Sequence, residues 1–294
     1  MAPVRSGPLA GLRIVEFAGI GPGPFCGMML ADHGAEVIRV DRAGANGGLQ
    51  PDPTKDVLAR GRKSIALNLK SEEGIALARK LCASADGLIE GFRPGVMERL
   101  GLGPDVLLAD NPRLVYGRMT GWGQTGPYAA SAGHDINYIS LAGALAHFGR
   151  ADDKPTPPIN MVGDFGGGGM MLAFGMVSAL LAVARGGDGQ VIDAAMTDGT
   201  AVLMAMIHGM ANQGLWREDL GANLLDTGAH FYDVYETADG KFVSIGSIEP
   251  QFYAELRARL GLADDPDFDP QMNPAKWPEL KDKLAAIFRQ KSRA

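Results

Sequence analysis

The sequence predicts an α/β protein in which a doubly wound parallel sheet (Rossmann-like) forms a large domain and a smaller α+β domain follows. Three observations predict it. Short apolar runs with β-branched residues alternate with helix-length segments through the first two-thirds of the chain, the pattern of βαβ units. The texture then changes, with two strand-like runs flanking a compact turn. Finally, 294 residues are many for a single hydrophobic core. The expected division is 1–220 and 221–294.

Taken in order, Leu12 to Ala18 reads as a strand ending in Gly19-Ile20-Gly21-Pro22-Gly23-Pro24, and Phe25 to His33 follows with helical spacing. Ala35 to Asp41 reads as the second strand, Ser71 to Ala85 as a helix, and Gly87 to Phe92 and Arg113 to Thr120 as further strands. Met170 to Ala184 is apolar on nearly all sides, as in a helix buried against other elements, and is short for a membrane span. Gly186-Gly187-Asp188-Gly189 ends it before a short strand, Gln190 to Ala194. Phe231 to Glu236 and Lys241 to Ile245, joined by Ala238-Asp239-Gly240, predict a hairpin, with helices starting at Pro250 and Pro278.

Composition narrows the function classes. Apolar residues make up 46% and charged residues 21%, ordinary values for a soluble globular chain. A net charge of −6 offers nucleic acid no general attraction, so an anionic ligand must be held by a local basic cluster. The two cysteines, Cys26 and Cys82, have neither metal-type nor redox-type spacing. Glu16 interrupts the first apolar run, unlike a secretory signal, and the terminal Lys291-Ser292-Arg293-Ala294 is not a peroxisomal address. A cytoplasmic protein with no nucleic-acid or membrane partner is expected, and no cluster has metal-ligand spacing.

The candidate chemistry lies between Gly117 and Met170. Gly133-His134-Asp135-Ile136-Asn137-Tyr138 places a histidine and a carboxylate at the start of an apolar segment that includes Ile139, Leu141 and Leu145. Asn160-Met161-Val162-Gly163-Asp164-Phe165-Gly166 supplies a second carboxylate ahead of a glycine run. Two groups of different basicity with backbone donors nearby suit proton abstraction next to a carbonyl. Asp164 stands where a helix N-cap belongs, and the N–H groups after it would keep its carboxylate ionised. An isolated histidine is usually structural, and His33, His147, His208 and His230 read that way; His134 differs in its polar company.

Three competing motifs are weaker. Asp41 falls roughly 20 residues beyond the first glycine loop, as a ribose-binding carboxylate would. Yet that loop reads Gly-x-Gly-x-Gly, and Pro22 and Pro24 remove N–H donors a pyrophosphate would need. Asp164-Phe165-Gly166 matches the kinase magnesium motif only in spelling, since the chain has no His-Arg-Asp loop. Arg60, Arg62, Lys63 and Lys70 can each be a solvated surface charge, but Arg42 and Arg93, near strand ends, are placed to converge on an anionic ligand such as coenzyme A.

The same residues, with Gly21-Pro22-Gly23-Pro24-Phe25-Cys26, Val40-Asp41-Arg42, Gly189-Gln190-Val191-Ile192-Asp193-Ala194 and Ile248-Glu249-Pro250-Gln251-Phe252-Tyr253, resemble the α-methylacyl-CoA racemases of the family III CoA-transferase superfamily. The superfamily implies an acyl-CoA ligand; the His134 and Glu249 motifs point to the racemase branch. The resemblance implies that His134 and Asp164 are bases on opposite faces of the acyl α-carbon. It further implies that Glu249 orients His134, that Asn160 supports Asp164, and that the N–H of Asp135 meets the thioester oxygen. Arg42 and Leu67-Asn68-Leu69-Lys70 match CoA-contacting positions, with Arg93 added from its place in the pattern; Gly133, Ile136, Asn137 and Tyr138 would line the acyl end. No cofactor is implied, because coenzyme A is part of the substrate.

Asn68 stands where close relatives carry Asp, and the family continues past Ala294 with a segment that interlocks two subunits. An interlocked homodimer is therefore expected if that segment is present. Three functions remain open at this point: a racemase, a CoA-transferase using Asp164 as nucleophile, and a truncated, non-catalytic CoA-binding protein.

Overall fold

The computed structural model describes residues 6–43 and 54–294. Six strands form one sheet: β1 (Arg13–Phe17), β2 (Glu36–Arg42), β3 (Arg62–Leu67), β4 (Gly87–Glu90), β5 (Val115–Thr120) and β6 (Val191–Ala195). Their spatial order is β3-β2-β1-β4-β5-β6, and every neighbouring pair is parallel. The chain winds outward from β1 to β3 and then, on the other side, from β4 to β6. The reversal between β1 and β4 leaves a crevice at their carboxyl ends, the usual ligand position of such sheets.

The helices of this part are α1 (Pro22–Asp32), α2 (Glu72–Ala83), α3 (Val96–Arg99), α4 (Pro104–Asp110), α5 (Asp135–Leu141), α6 (Met171–Ala184) and α7 (Met196–Leu203). Pro22 opens α1, where a missing N–H costs nothing, and Ser71 caps α2 by accepting from the Gly74 N–H at 3.1 Å. Every residue of β4 and β5 is buried, which explains their lack of polar alternation. The charged exceptions, Glu90 and Arg118, answer each other at 3.0 Å, and Glu98 meets Arg118 at 2.7 Å.

β3 falls on residues whose basic character hid a strand. It is an edge strand, and edges carry charge that discourages further pairing, so only Ile65 and Leu67 show its apolar side. A second difference concerns the glycine run. A π-helical stretch, Met161–Met170, passes directly into α6, giving 24 helical residues with mean hydropathy 1.8. By length and composition this helix is long and apolar enough to cross a membrane, contrary to the expectation from Met170 to Ala184 alone; half of it is buried here.

Leu172, Met176, Leu180 and Val183 bury one face of α6 in the core, and Gly87 and Gly117 make room for Met176. The other face exposes Phe174, Val177 and Leu181, so α6 is not buried on all sides. The glycines before it serve close packing. A Cβ at Gly167 would lie 2.6 Å from the Thr200 nitrogen, and one at Gly169 would lie 2.7 Å from the Phe25 ring.

The chain divides into two compact units, Met1–Ala142 with Pro158–Met204, and Gly143–Pro157 with Ala205–Ala294. The expected boundary at 220 thus differs from the observed one, and residues 143–157 group with the second unit. Arg150 explains part of this grouping: it pairs with the buried Asp233 at 2.9 Å. The second unit contains α8 (Ala205–Asn212), the antiparallel hairpin β7 (Tyr232–Glu236) and β8 (Phe242–Gly246), α9 (Pro250–Leu260) and α10 (Trp277–Phe288). Phe231, Tyr235, Tyr253, Phe268, Trp277 and Leu280 form its core.

Candidate active site

A cavity of about 710 Å³ opens at the carboxyl ends of β1, β4 and β5, where the sheet order reverses. Its wall includes the loop after β1 (Ala18 to Gly21), Arg93 after β4, and Gly121 and Trp122 after β5. Gly133, His134, Tyr138, Asn160 and Asp164 complete the functional part of the lining. All of these residues belong to the first unit.

The start of α5 is fixed by three hydrogen bonds. The Tyr138 hydroxyl donates to the Gly133 carbonyl at 2.5 Å, the His134 N–H donates to Asn137 Oδ1 at 3.0 Å, and the Asn137 N–H donates back to the His134 carbonyl at 2.8 Å. Glycine is required on both sides of the tyrosine ring. A Cβ at Gly121 would collide with that ring, and one at Gly133 would lie 2.7 Å from it and 2.9 Å from the Trp122 indole. Trp122 closes the arrangement edge-on to Tyr138, with centroids 4.7 Å apart.

Asp164 sits in the first turn of the π-helical stretch, and Asn160 holds the N-cap position expected of Asp164. Asn160 Nδ2 donates to Asp164 Oδ2 at 3.0 Å, and the Asp164 N–H donates to Asp135 Oδ1 at 2.7 Å. Gly21, at φ 67°, brings bare backbone against the carboxylate; a Cβ there would lie 3.3 Å from Asp164 Oδ2. Burial pushes the Asp164 carboxyl above its usual range, Asn160 opposes this, the Asp135 charge adds to it, and His134 opposes it. Any lowering by the helix N–H groups is outweighed: desolvation raises this carboxyl. Such a carboxylate is a better proton acceptor than an exposed one.

The remaining candidates separate. Arg42 and Leu67 are register partners at the carboxyl ends of β2 and β3, and the turn Asn68-Leu69-Lys70 follows, with the Lys70 N–H donating to Asn68 Oδ1 at 3.1 Å. These five residues form a group outside the cavity wall, and Leu67 is buried, so its side chain faces the core. Ile136 is exposed and also outside the wall, while Asn137 uses its side-chain oxygen to cap His134. Glu249 belongs to the second unit, at the N-cap of α9.

Three basic residues from the cluster are committed to carboxylates: Arg60 to Asp32, Lys63 to Glu36, and the buried Arg62 to buried Glu16 at 2.7 Å. Asp41, the supposed ribose ligand, accepts from Arg39 at 3.0 Å and Ser64 at 2.6 Å. Among the described residues no group of three or more His, Cys, Asp or Glu side chains is placed to hold a metal. Sequence reasoning missed Trp122 and Gly121; the Gly121-Trp122-Gly123 spacing directly after a strand was the available signal.

Residues 9–294 match CoA-transferase family III, and the chain belongs to that family. It is 51% identical to the α-methylacyl-CoA racemase of Mus musculus and 48% identical to that of Homo sapiens, in each case over 97% of this chain and 73% of the relative. Relatives named as CoA-transferases also match. Among solved structures, a CaiB/BaiF family protein from Brucella suis superposes with a TM-score of 0.79 at 29% identity, covering 98% of this chain and 78% of that one.

Proposed function

We propose that this protein racemises 2-methylacyl-CoA thioesters, carrying a proton between the two faces of the acyl α-carbon. The observation that carries the reading is that an imidazole and a desolvated carboxylate, His134 and Asp164, line one cavity at the topological switch point. One base takes the α-proton, and the C–H electron pair moves into the thioester carbonyl as an enolate. The other base, in its protonated form, then delivers a proton to the opposite face. The resting protonation of the pair is restored by solvent or by the reverse reaction.

A thioester lowers the cost of this step because its α-proton is more acidic than that of an ester or carboxylate. Donors aimed at the enolate oxygen lower it further. The N–H of Asp135, at the first position of α5, has no intrahelical acceptor and is the donor assigned to that oxygen. Asn160 orients the Asp164 carboxylate through Nδ2. Arg93 on the wall, with Arg42 and the Leu67 to Lys70 turn, is assigned to the CoA moiety. The chemistry needs no cofactor beyond the CoA of the substrate, and a cytoplasmic location belongs to the same proposal, as does a homodimer where the family's C-terminal segment is present.

Incubating (2R)- and (2S)-2-methylacyl-CoA with the protein in D2O tests it by NMR. Loss of the α-proton signal from both epimers is expected; absence of exchange by folded protein that still binds CoA overturns the reading. The matching CoA-transferases favour a second one, in which Asp164 attacks the thioester, CoA leaves as thiolate, and a mixed anhydride forms. CoA would then move between free acids, and His134→Ala would leave that transfer intact while Asp164→Asn abolished it.

A further inference from the structure

We infer that Asp135 is a positioning residue whose carboxylate ties Asp164 to the His134 segment and so sets the separation of the two bases. The inference rests on the racemase reading above and gives a second task to a residue so far assigned only a backbone donor. Asp135 follows His134 directly, yet its Oδ1 accepts from the amide of Asp164, 29 positions along the chain, at 2.7 Å. One side chain therefore connects the segment of the first base to the backbone of the second.

Two further observations indicate a built connection. Gly163 is bare where the carboxylate reaches in, and a Cβ there would lie 2.5 Å from Asp135 Oδ1. Asp135 is also 5% exposed, with Oδ2 buried and lacking a hydrogen-bond partner among the described residues. A buried carboxylate oxygen without a donor is expensive, and a neutral asparagine could accept the same amide with less desolvation. The charge thus has a use beyond accepting one bond. Asp164 is faced by Asn160, His134, Tyr138 and Asp135, and the Asp135 charge works with burial to hold the Asp164 carboxyl above its usual range.

Racemisation makes such a tie valuable. Two bases must reach one carbon from opposite faces, and a misplacement of about 1 Å can cost on the order of a hundredfold in rate. The test compares Asp135→Ala, which removes the acceptor, with Asp135→Asn, which keeps it and removes the charge. Asp135→Ala is expected to lower kcat for both epimers roughly 10- to 100-fold with little change in KM. Asp135→Asn should recover part of that rate, while the acidic limb for the epimer deprotonated by Asp164 moves to lower pH. The sign follows because Asp164 must be unprotonated to act, and removing a neighbouring negative charge lowers its pKa.

Wild-type kcat in Asp135→Ala, or an unmoved acidic limb in Asp135→Asn, overturns the inference. Hydrogen exchange at the Asp164 amide gives a readout independent of the reaction: it should quicken in Asp135→Ala and stay slow in Asp135→Asn. Should Asp135→Ala not fold, Asp135→Ser replaces it. Should the wild-type protein show no α-proton exchange, the racemase reading fails while the amide measurement still decides whether the tie exists.

Discussion

Asp164 lies half-buried on the wall of a cavity at the carboxyl ends of the sheet, whereas His230 lies fully buried among the rings of Phe231, Tyr253 and Phe268 in the second unit. Both lose solvation, and in both the neutral form gains: the Asp164 carboxyl is pushed up, and burial lowers His230 to about 4. The surroundings decide the use. Asp164 keeps access to a cavity and faces a histidine, an amide and a second carboxylate. His230 is sealed. Tyr253 Oη donates its single proton to the Phe268 carbonyl at 3.0 Å, so the 2.7 Å contact with His230 Nε2 requires the ring hydrogen on Nε2. Nδ1 is left buried without a partner. A shifted titratable group is thus a functional candidate only where something can reach it.

The comparison breaks most visibly at the cavity. His134→Ala and Asp164→Asn are each expected to lower α-proton exchange by roughly 10²- to 10⁴-fold for the epimer whose proton that base removes, the usual range for removing a positioned acid or base. In wild type, exchange that depends on Asp164 as base should fall away on acidification above the ordinary aspartate range, because burial raises that carboxyl. Rates measured against pH for each epimer separately check this. Equal rates in wild type and Asp164→Asn would place Asp164 with the structural groups.

At His230 the expected effect is on stability and has the opposite dependence on access. The unfolded histidine takes up a proton near its ordinary 6.5 and the folded one only near 4, so stability is complete above the first value and is lost as pH falls toward the second. The shift amounts to roughly 3 kcal/mol at most. Urea unfolding followed by tryptophan fluorescence at several pH values should show this loss in wild type. His230→Phe, which cannot titrate, should show a smaller loss over the same interval while exchange activity stays at the wild-type level. An identical pH response in both would remove His230 as its cause.

Much of the fold was readable because burial leaves a record in composition. β1, β4 and β5 are apolar because both their faces are covered, and the residue types at His134 and Asp164 stood out against apolar neighbours. What escaped did so for identifiable reasons. β3 is an edge strand whose charges answer Glu16 and Glu36. The helix was expected to begin at an Asp164 N-cap but begins at Met161, and its glycines let α1 and α7 approach a helix that tertiary packing stabilises. Asn137 resembled a ligand contact, and only the 3.0 Å bond to the His134 N–H identifies it as a cap. The grouping of residues 143–157 with the second unit depends on long-range contacts such as Arg150 with Asp233, which no local pattern announces.

The smallest expected effect sharpens the comparison from its middle. Tyr138 is buried like His230 yet lines the cavity like Asp164, and its hydroxyl is satisfied by the Gly133 carbonyl. Burial, with the nearby Asp164 and Asp135 charges, pushes the phenol up, so it remains a neutral donor across the working range. Its role is then mechanical: it holds the residue before His134. Tyr138→Phe keeps the ring that Gly121, Gly133 and Trp122 accommodate and deletes only the hydroxyl. A loss of about 1 kcal/mol in stability is expected for one hydrogen bond. If His134 loses orientation with it, exchange should fall several-fold, more for the epimer that His134 deprotonates than for the other. A loss of stability with equal rates for both epimers would instead make Tyr138 a packing residue that happens to face a cavity.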